Sequence, residues 1–346
     1  MAKSVPVAEA VGMVLPHDIT EIRAGEFKGR AFKKGHVIRP EDIDHLRRLG
    51  KEHIFVLELS ENDIHENEAA QLLAAALAGP GVAAEGEPVE GKIALLAAHP
   101  GVLRVEREAL YRFNLLGEVM CATLHGDTLV AQGEQVAATR LIPLTTRRDI
   151  VDQAVAIAQE CGGIVRIEPL RAARAGLVIT GNEVYHGRIK DAFEPVLREK
   201  LTAIGSRVVR VVKAPDDTGM IAAAIGECLA AGADLIVTSG GMSVDPDDVT
   251  RGGIAQAGAG ELVYGTPVLP GAMFLVGYLP GDSGQQIPVL GLPACGMFHR
   301  ITVFDLILPR VLAGEKISRE TMAALGHGGL CRNCKKCTYP VCPFGK

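Results

Sequence analysis

The sequence predicts an α/β protein. A mostly parallel, doubly wound sheet over residues 171–315 follows β-rich N-terminal regions and precedes a short cysteine-rich tail. Three observations carry that expectation. From residue 176 onward, apolar runs of strand length alternate with stretches of helical periodicity, the pattern of βαβ units whose parallel strands are covered on both faces. Before residue 170, short β-prone pieces are punctuated by closely spaced turn residues. Near the C-terminus, four of the eight cysteines fall in the last sixteen residues.

Taken in order, Val5 to Leu59 is punctuated by Gly25, Gly29 and Gly35, as a small β-rich unit with tight turns requires. Pro40-Glu41-Asp42 opens a helix running to Leu49: proline suits the first turn, and acids suit the positive end. His53 to Leu59 reads as a strand and Glu61 to Ala78 as a helix stopped by Gly79-Pro80-Gly81. The Gly- and Pro-rich stretch 79–91 reads as a linker, so the boundaries fall at residues 1–78, 79–170, 171–315 and 316–346. Ile93 to Leu144 is strand-rich, and a helix spans Arg148 to Gln159. The α/β region offers strands at 176–180, 208–212, 234–238, 272–279 and 287–290, with helices at 192–204, 218–231 and 296–312.

Composition narrows the function. At roughly 150 residues per domain, 346 residues make two or three domains. Acids outnumber bases 41 to 36, and nine Phe, five Tyr and no Trp leave little for base stacking, so nucleic acid is not the expected partner. The most apolar stretch, 69–84, is broken by Gln71 and Gly79-Pro80-Gly81, so no membrane span is expected. No charged-then-apolar leader opens the chain, so a cytoplasmic setting with reduced thiols is expected. The histidines of the first half (His17, His36, His45, His53, His65, His99 and His125) are too scattered for a metal set and read as solvated or core residues. Cys121, Cys161 and Cys228 read as inert core cysteines.

In an open α/β sheet, ligands bind beyond the carboxyl ends of the strands. The successive strands are followed by Thr180-Gly181-Asn182-Glu183, by Pro215-Asp216-Asp217, by the run from Ser239 to Asp248, and by Leu292-Pro293-Ala294-Cys295-Gly296. Gly240-Gly241 lets the backbone approach a phosphate, while Ser239 and Ser243 offer hydroxyls. Asp216, Asp217, Asp245, Asp247 and Asp248 would repel a bare phosphate, a conflict that Mg²⁺ removes by bridging carboxylate and phosphate oxygens. Helix capping by Asp216 or Asp247 is the bland alternative. Neither a Walker lysine motif nor Gly-x-Gly-x-x-Gly is present, which disfavours ordinary nucleotide sites.

These residues carry a resemblance. Thr180-Gly181-Asn182-Glu183, Gly187, Asp191, Pro215-Asp216-Asp217, Thr238 to Ser243 and the Leu292-Pro293 turn resemble the molybdopterin-binding domain. That domain is shared by molybdopterin molybdenumtransferases (MoeA/gephyrin type) and molybdopterin adenylyltransferases. The resemblance implies an adenylylated molybdopterin and molybdate as substrates, with Mg²⁺-assisted cleavage of the phosphoanhydride coupled to molybdenum insertion. It implies Asp216 or Asp217 and Asp248 as metal and catalytic carboxylates; Asp245, in the same loop as Asp248, is read from the residues as a further metal ligand. Glu183 then lies at the pterin end, and Gly240, Gly241 and Ser243 at the phosphates. Two departures stand out: Asp245 where the transferase type has Gly, and Ala294-Cys295-Gly296 in place of Gly-Asn-Pro.

The tail reads Cys331-x2-Cys334-x2-Cys337-x4-Cys342-Pro343, close to the ferredoxin run, with zinc or no stable metal as alternatives. Gly326, Gly328 and Gly329 before it read as a hinge. Cys295 is either a thiol ligand for molybdenum or a buried loop cysteine. Three functions are thus in play: a molybdenumtransferase-like enzyme of molybdenum cofactor biosynthesis, a molybdopterin carrier or redox sensor with an iron–sulfur tail, and a nucleotide hydrolase of the competence-damage type. The first two imply a molybdoenzyme or another cofactor-biosynthesis protein as partner and a homo-oligomeric chain.

Overall fold

The computed structural model divides into two compact units. Met1–His99, Leu103–Leu124 and Val130–Ile167 form the first; Pro100–Val102, His125–Leu129 and Glu168–Lys346 form the second. Described are residues 2–23, 27–57, 62–243, 245–246, 248–281 and 284–346. The expectations at Gly25, Leu59, Glu61 and Asp247 lie outside them.

The first unit holds two apolar cores. Leu15, Ile38 and Leu46 anchor the smaller, beside the antiparallel pair Ala2–Pro6 with His53–Leu57 and the hairpin Ile19–Arg23 with Phe27–Phe32. Leu73, Leu95 and Phe113 anchor the larger, beneath an antiparallel sheet ordered Val82–Val89, Lys92–Ala97, Gln135–Leu141, Val119–Thr123. Stretch 79–91 is therefore not a linker but contains an edge strand. Pro88 is tolerated there because it falls where the register shifts between Glu85 and Val89, and an edge strand has one unpaired side. The helix expected from Glu61 begins at Glu66, because His65 caps it: its ring accepts from the Asn67 N–H at 3.1 Å. A helix at Arg107–Leu115 interrupts the strand-rich region, and Arg148–Gln159 is helical as read from the sequence.

In the second unit the strands are β1 Arg174–Thr180, β2 Arg207–Ala214, β3 Leu235–Ser239, β4 Gly260–Tyr264, β5 Leu275–Pro280 and β6 Gln286–Leu292. The helices are α1 Phe193–Ala203, α2 Thr218–Ala230, α3 Thr250–Gln256, α4 Val303–Leu312 and α5 Arg319–Ala324. The sheet order is β2-β1-β3-β6-β5-β4; its first four strands are parallel, and β5 is antiparallel to both its neighbours. Side chains alternate between faces as strand geometry demands. Leu177, Ile179, Leu235, Val237 and Leu290 enter a core with α1 and α4; Val178, Ile236 and Val289 enter a second core with α2 and α3. The sheet is doubly wound. Because β1 lies between β2 and β3, the chain leaves β1 toward one side and β2 toward the other, and a crevice opens at their carboxyl ends.

Three of these elements are not legible in the sequence: α3, α5 and β4. The helix expected at 296–312 begins at Val303, since Thr302 and Asp305 form a capping box, and Ala294–Met297 is a separate 3₁₀ turn. The tail packs on the domain: Phe344 is 3% exposed in the core shared with β1 and α4, and Cys331, Tyr339 and Cys342 pack against it. Gly329, read as part of a hinge, is a point of close approach. A Cβ there would lie 2.4 Å from the Leu325 carbonyl oxygen and 2.7 Å from that of Pro267.

Candidate functional site

The crevice is a cavity of about 360 Å³ at the carboxyl edge of the sheet. The loop after β1 supplies Thr180, Gly181 and Glu183; the loop after β2 supplies Asp216; the loop after β3 supplies Gly240, Gly241, Asp245 and Asp248. The structure thus brings eight of the sequence-derived site residues to one wall. Thr180 organises the centre, its hydroxyl donating to the Ser239 carbonyl at 2.7 Å with the Thr250 hydroxyl 3.0 Å away. Asn182 and Asp216 latch the first two loops: the Asn182 N–H donates to Asp216 Oδ2 at 2.9 Å, and the Asp216 N–H donates to Asn182 Oδ1 at 3.3 Å. Asp248 folds its own loop by accepting the Asp245 N–H at 3.1 Å.

Gly240 and Gly241 adopt φ of +84° and +58°, a region that penalises any Cβ. Gly241 is also crowded, since a Cβ would lie 2.3 Å from the Thr250 hydroxyl. The Gly-Gly pair therefore follows from both conformation and space. Both glycines line the cavity.

Six sequence-derived residues stand behind this wall. Asp217 caps α2, its Oδ1 accepting the Met220 N–H at 2.8 Å. The cap expected of Asp216 is thus made by its neighbour, and Asp216 faces the cavity. Asn182 acts through the latch, and Leu292 and Pro293 bury the β6 end; Ser239 is fully buried and Ser243 is exposed outside the lining. Cys295 is half-buried and does not line the cavity, although its neighbours Ala294 and Met297 do; burial raises its thiol pKa. Burial likewise pushes Cys121 to about 12 and Cys228 to about 11, so both are inert core thiols. Cys161, read as a core residue, is exposed, its thiol donating to the Ala158 carbonyl.

The sequence reading left Lys190 and Asp191 out of the site. Both line the cavity. Asp191 Oδ1 accepts the Phe193 N–H at 2.8 Å, while Oδ2 is buried without a partner. Among the described residues the lining thus carries Glu183, Asp191, Asp216, Asp245 and Asp248 against Lys190 alone. Such a wall suits an anion only in company with a divalent cation. Hard carboxylate oxygens on separate loops match Mg²⁺, which is held by one or two carboxylates together with substrate phosphates. Among the described residues no three His, Cys, Asp or Glu side chains form a ready-made ligand set.

Two family models match separate segments of the chain. Residues 4–58 match the family described as a domain of unknown function (DUF8806). A CinA-like protein of Mycobacterium sp. (strain MCS) is 37% identical over 95 residues, which is 28% of this chain and 23% of that protein. One from Mycobacterium tuberculosis (strain ATCC 25177 / H37Ra) is 38% identical over 92 residues, 27% of this chain and 21% of that protein. The chain thus spans under a quarter of the length of these curated relatives. Among solved structures, the tungsten cofactor synthesizing protein MoaB from Pyrococcus furiosus is 18% identical with a TM-score of 0.33, covering 43% of this chain and 98% of that one. A molybdenum cofactor biosynthesis protein from Pyrococcus furiosus is 15% identical with a TM-score of 0.26, covering 94% of this chain and 65% of that one. The loops that build the cavity fall inside one matched segment: residues 176–313 match the family described as a probable molybdopterin binding domain.

Proposed function

We propose that the second unit binds adenylylated molybdopterin and, with Mg²⁺, transfers molybdenum from molybdate into it, as a molybdenumtransferase-like enzyme of molybdenum cofactor biosynthesis. The observation that carries the reading is the cavity itself. Phosphate-compatible glycines, carboxylates on three loops and a buried unpaired carboxylate oxygen share one wall, inside the segment matching a probable molybdopterin binding domain. Within it, Gly240 and Gly241 let the phosphates approach the backbone, and Lys190 offsets their charge. Asp216, Asp245 and Asp248 hold the metal, which when bound polarises a phosphoryl oxygen. Asp191 Oδ2 accepts a hydrogen bond from the N–H edge of the pterin, ending its isolation. Asp217 serves by holding α2 and with it the Asp216 loop.

A second reading dispenses with the pterin. The glycines and the three aspartates need only a phosphoanhydride, so a nucleotide would serve as substrate for hydrolysis by the same residues. One assay separates the two. The full chain is incubated with adenylylated molybdopterin, Mg²⁺ and molybdate, and AMP release is followed. AMP release dependent on the pterin and lost in Asp248→Asn supports the transferase. Tight pterin binding without AMP release overturns turnover and leaves a carrier. Nucleotide products formed from a free nucleotide diphosphate compound, with no pterin present, favour the hydrolase.

A further inference from the structure

A second cavity, of about 220 Å³, lies in the same unit and is lined by all four tail cysteines, Cys331, Cys334, Cys337 and Cys342. Binding of a pterin at the acidic crevice makes no use of it. All four are free thiols. Their convergence is built into the backbone. Asn333 takes φ of +49°, a left-handed turn that asparagine tolerates, so Cys331 and Cys334 reach the same space. The Cys331 N–H donates to the Leu269 carbonyl at 2.8 Å, fixing the first thiol to the domain. Between the third and fourth, Val341 N–H donates to Thr338 O at 2.8 Å and Cys342 N–H to Pro340 O at 2.9 Å. The loop closes at its base where Gly345 N–H donates to Gly328 O at 3.0 Å, and Phe344 is buried in the core below.

The chemistry of the wall is as specific as its shape. Arg300 and Arg332 line the cavity, Phe298, Ile301 and Phe344 supply apolar surface, and no carboxylate is among the lining residues described. A cavity whose described lining has four thiols, two guanidinium groups, the His299 imidazole and no acid suits a group that is anionic overall and binds soft sulfur ligands. All four cysteines line this volume, and among the described residues no three His, Cys, Asp or Glu side chains form a ready-made set for one ion. A zinc ion requires its sulfurs about 2.3 Å from a single centre, usually from two separated Cys-x2-Cys knuckles. A cluster places a body of iron and sulfide between its thiolates. The spacing, three cysteines at successive x2 steps and a fourth followed by proline, is close to the ferredoxin run, which has three residues instead of four before its last cysteine.

We infer that Cys331, Cys334, Cys337 and Cys342 hold an iron–sulfur cluster of the [4Fe–4S] type in this cavity, with Arg300 and Arg332 balancing its negative charge. Loading takes two ferric and two ferrous ions with four sulfide ions, forms four iron–thiolate bonds and releases the four thiol protons, with no net oxidation or reduction. The segment from Ala294 to Ile301 touches both cavities: Ala294 and Met297 line the acidic one, Phe298 to Ile301 the cysteine one. The cluster therefore stands beside the acidic site and not on a detached tail.

The test uses the full chain purified without oxygen and reconstituted with iron, sulfide and a thiol reductant in the presence of an equal amount of zinc. The expected result is iron and acid-labile sulfide in equal amounts, about four of each per chain, with the electron paramagnetic resonance signal of a reduced cluster. Zinc without iron, or neither metal, overturns the inference. Cys334→Ala removes an exposed side chain and should lose most of the iron and the signal, whereas Cys161→Ser, an exposed thiol of the first unit, should keep both. Full iron retention in Cys334→Ala places any cluster elsewhere and also overturns the assignment. Far-ultraviolet circular dichroism of Cys334→Ala equal to that of the parent attributes its loss to the ligand. If the variant fails to fold, metal content of the parent chain still decides the matter.

Discussion

Two adjacent aspartates at the end of β2 face different tasks. Asp216 lines the acidic cavity, while Asp217 turns back to cap α2. Asparagine caps a helix as well as aspartate does, but alanine does not. Asp217→Asn should therefore keep both stability and AMP release, and Asp217→Ala should lose about 1 kcal/mol of stability. Asp216→Asn should keep the fold and lose turnover; denaturation profiles beside AMP assays distinguish the three. Gly241→Ala asks for a Cβ at φ +58° against the Thr250 hydroxyl. Strain of this kind costs roughly 1–3 kcal/mol, so the calorimetric transition of the second unit should fall in temperature and pterin binding should weaken. The site was largely legible at this scale because strand ends collect polar loops on one edge, wherever the helices lie. Asp191 is among the residues that carry the resemblance, but no spacing rule assigns it a role in the site, where its signal is a single buried oxygen without a partner. Ser239 and Leu292 were overread for the opposite reason: a residue that ends a parallel strand is often buried beneath the site instead of facing it.

At the scale of elements, the buried strands and the long helices declared themselves. β1, β3 and β6 are apolar on both faces, and α1 and α2 match the expected spans within a residue or so. The short exposed pieces did not. β4, with two exposed residues at its start, sits at the sheet edge, and α3 carries Gly252 and Gly253, which lower helical propensity. Tertiary packing forms that helix, since a Cβ on Gly253 would strike Ile221 of α2 at 2.6 Å. α4 was read too long because its apolar periodicity continues backward past its cap. Thr302→Ala removes the hydroxyl that accepts the Phe304 N–H at 3.2 Å and half of the capping box. A loss of about 1 kcal/mol is expected by calorimetry, with Thr302→Ser restoring most of it.

The two units should respond to acid in different windows. In the first, burial, with the Lys34 ammonium beside it, holds His65 below its usual 6.5; its ring accepts from the Asn67 N–H and donates to the Pro16 carbonyl at 2.7 Å. Burial also lowers His17. An unfolded histidine takes up its proton near 6.5 while the folded one resists, so stability is full above that value and drains as pH falls below it. In the second unit burial works to raise Asp234, but hydrogen bonds from Arg171 at 2.7 Å and the Arg174 N–H at 2.9 Å outweigh it and hold the carboxyl below 3.8. Its contribution is full above 3.8 and is lost only as pH falls through the lower folded value. Calorimetry from about pH 8 to pH 5 should therefore lower the first transition before the second; a second unit that melts earlier over that range would contradict the assignment.

One feature of the second unit also bears on how the protein comes into being. Its central strand β6 is drawn from residues 286–292, and its core is closed by Phe344. A chain leaves the ribosome N-terminal end first and folds in units as it emerges. The first unit can pack while synthesis continues, but the second waits for its last strands and then for Phe344. Its cysteines arrive in the same final stretch. The finished core and the proposed cluster site thus become available together, and a chain interrupted before residue 331 would carry neither.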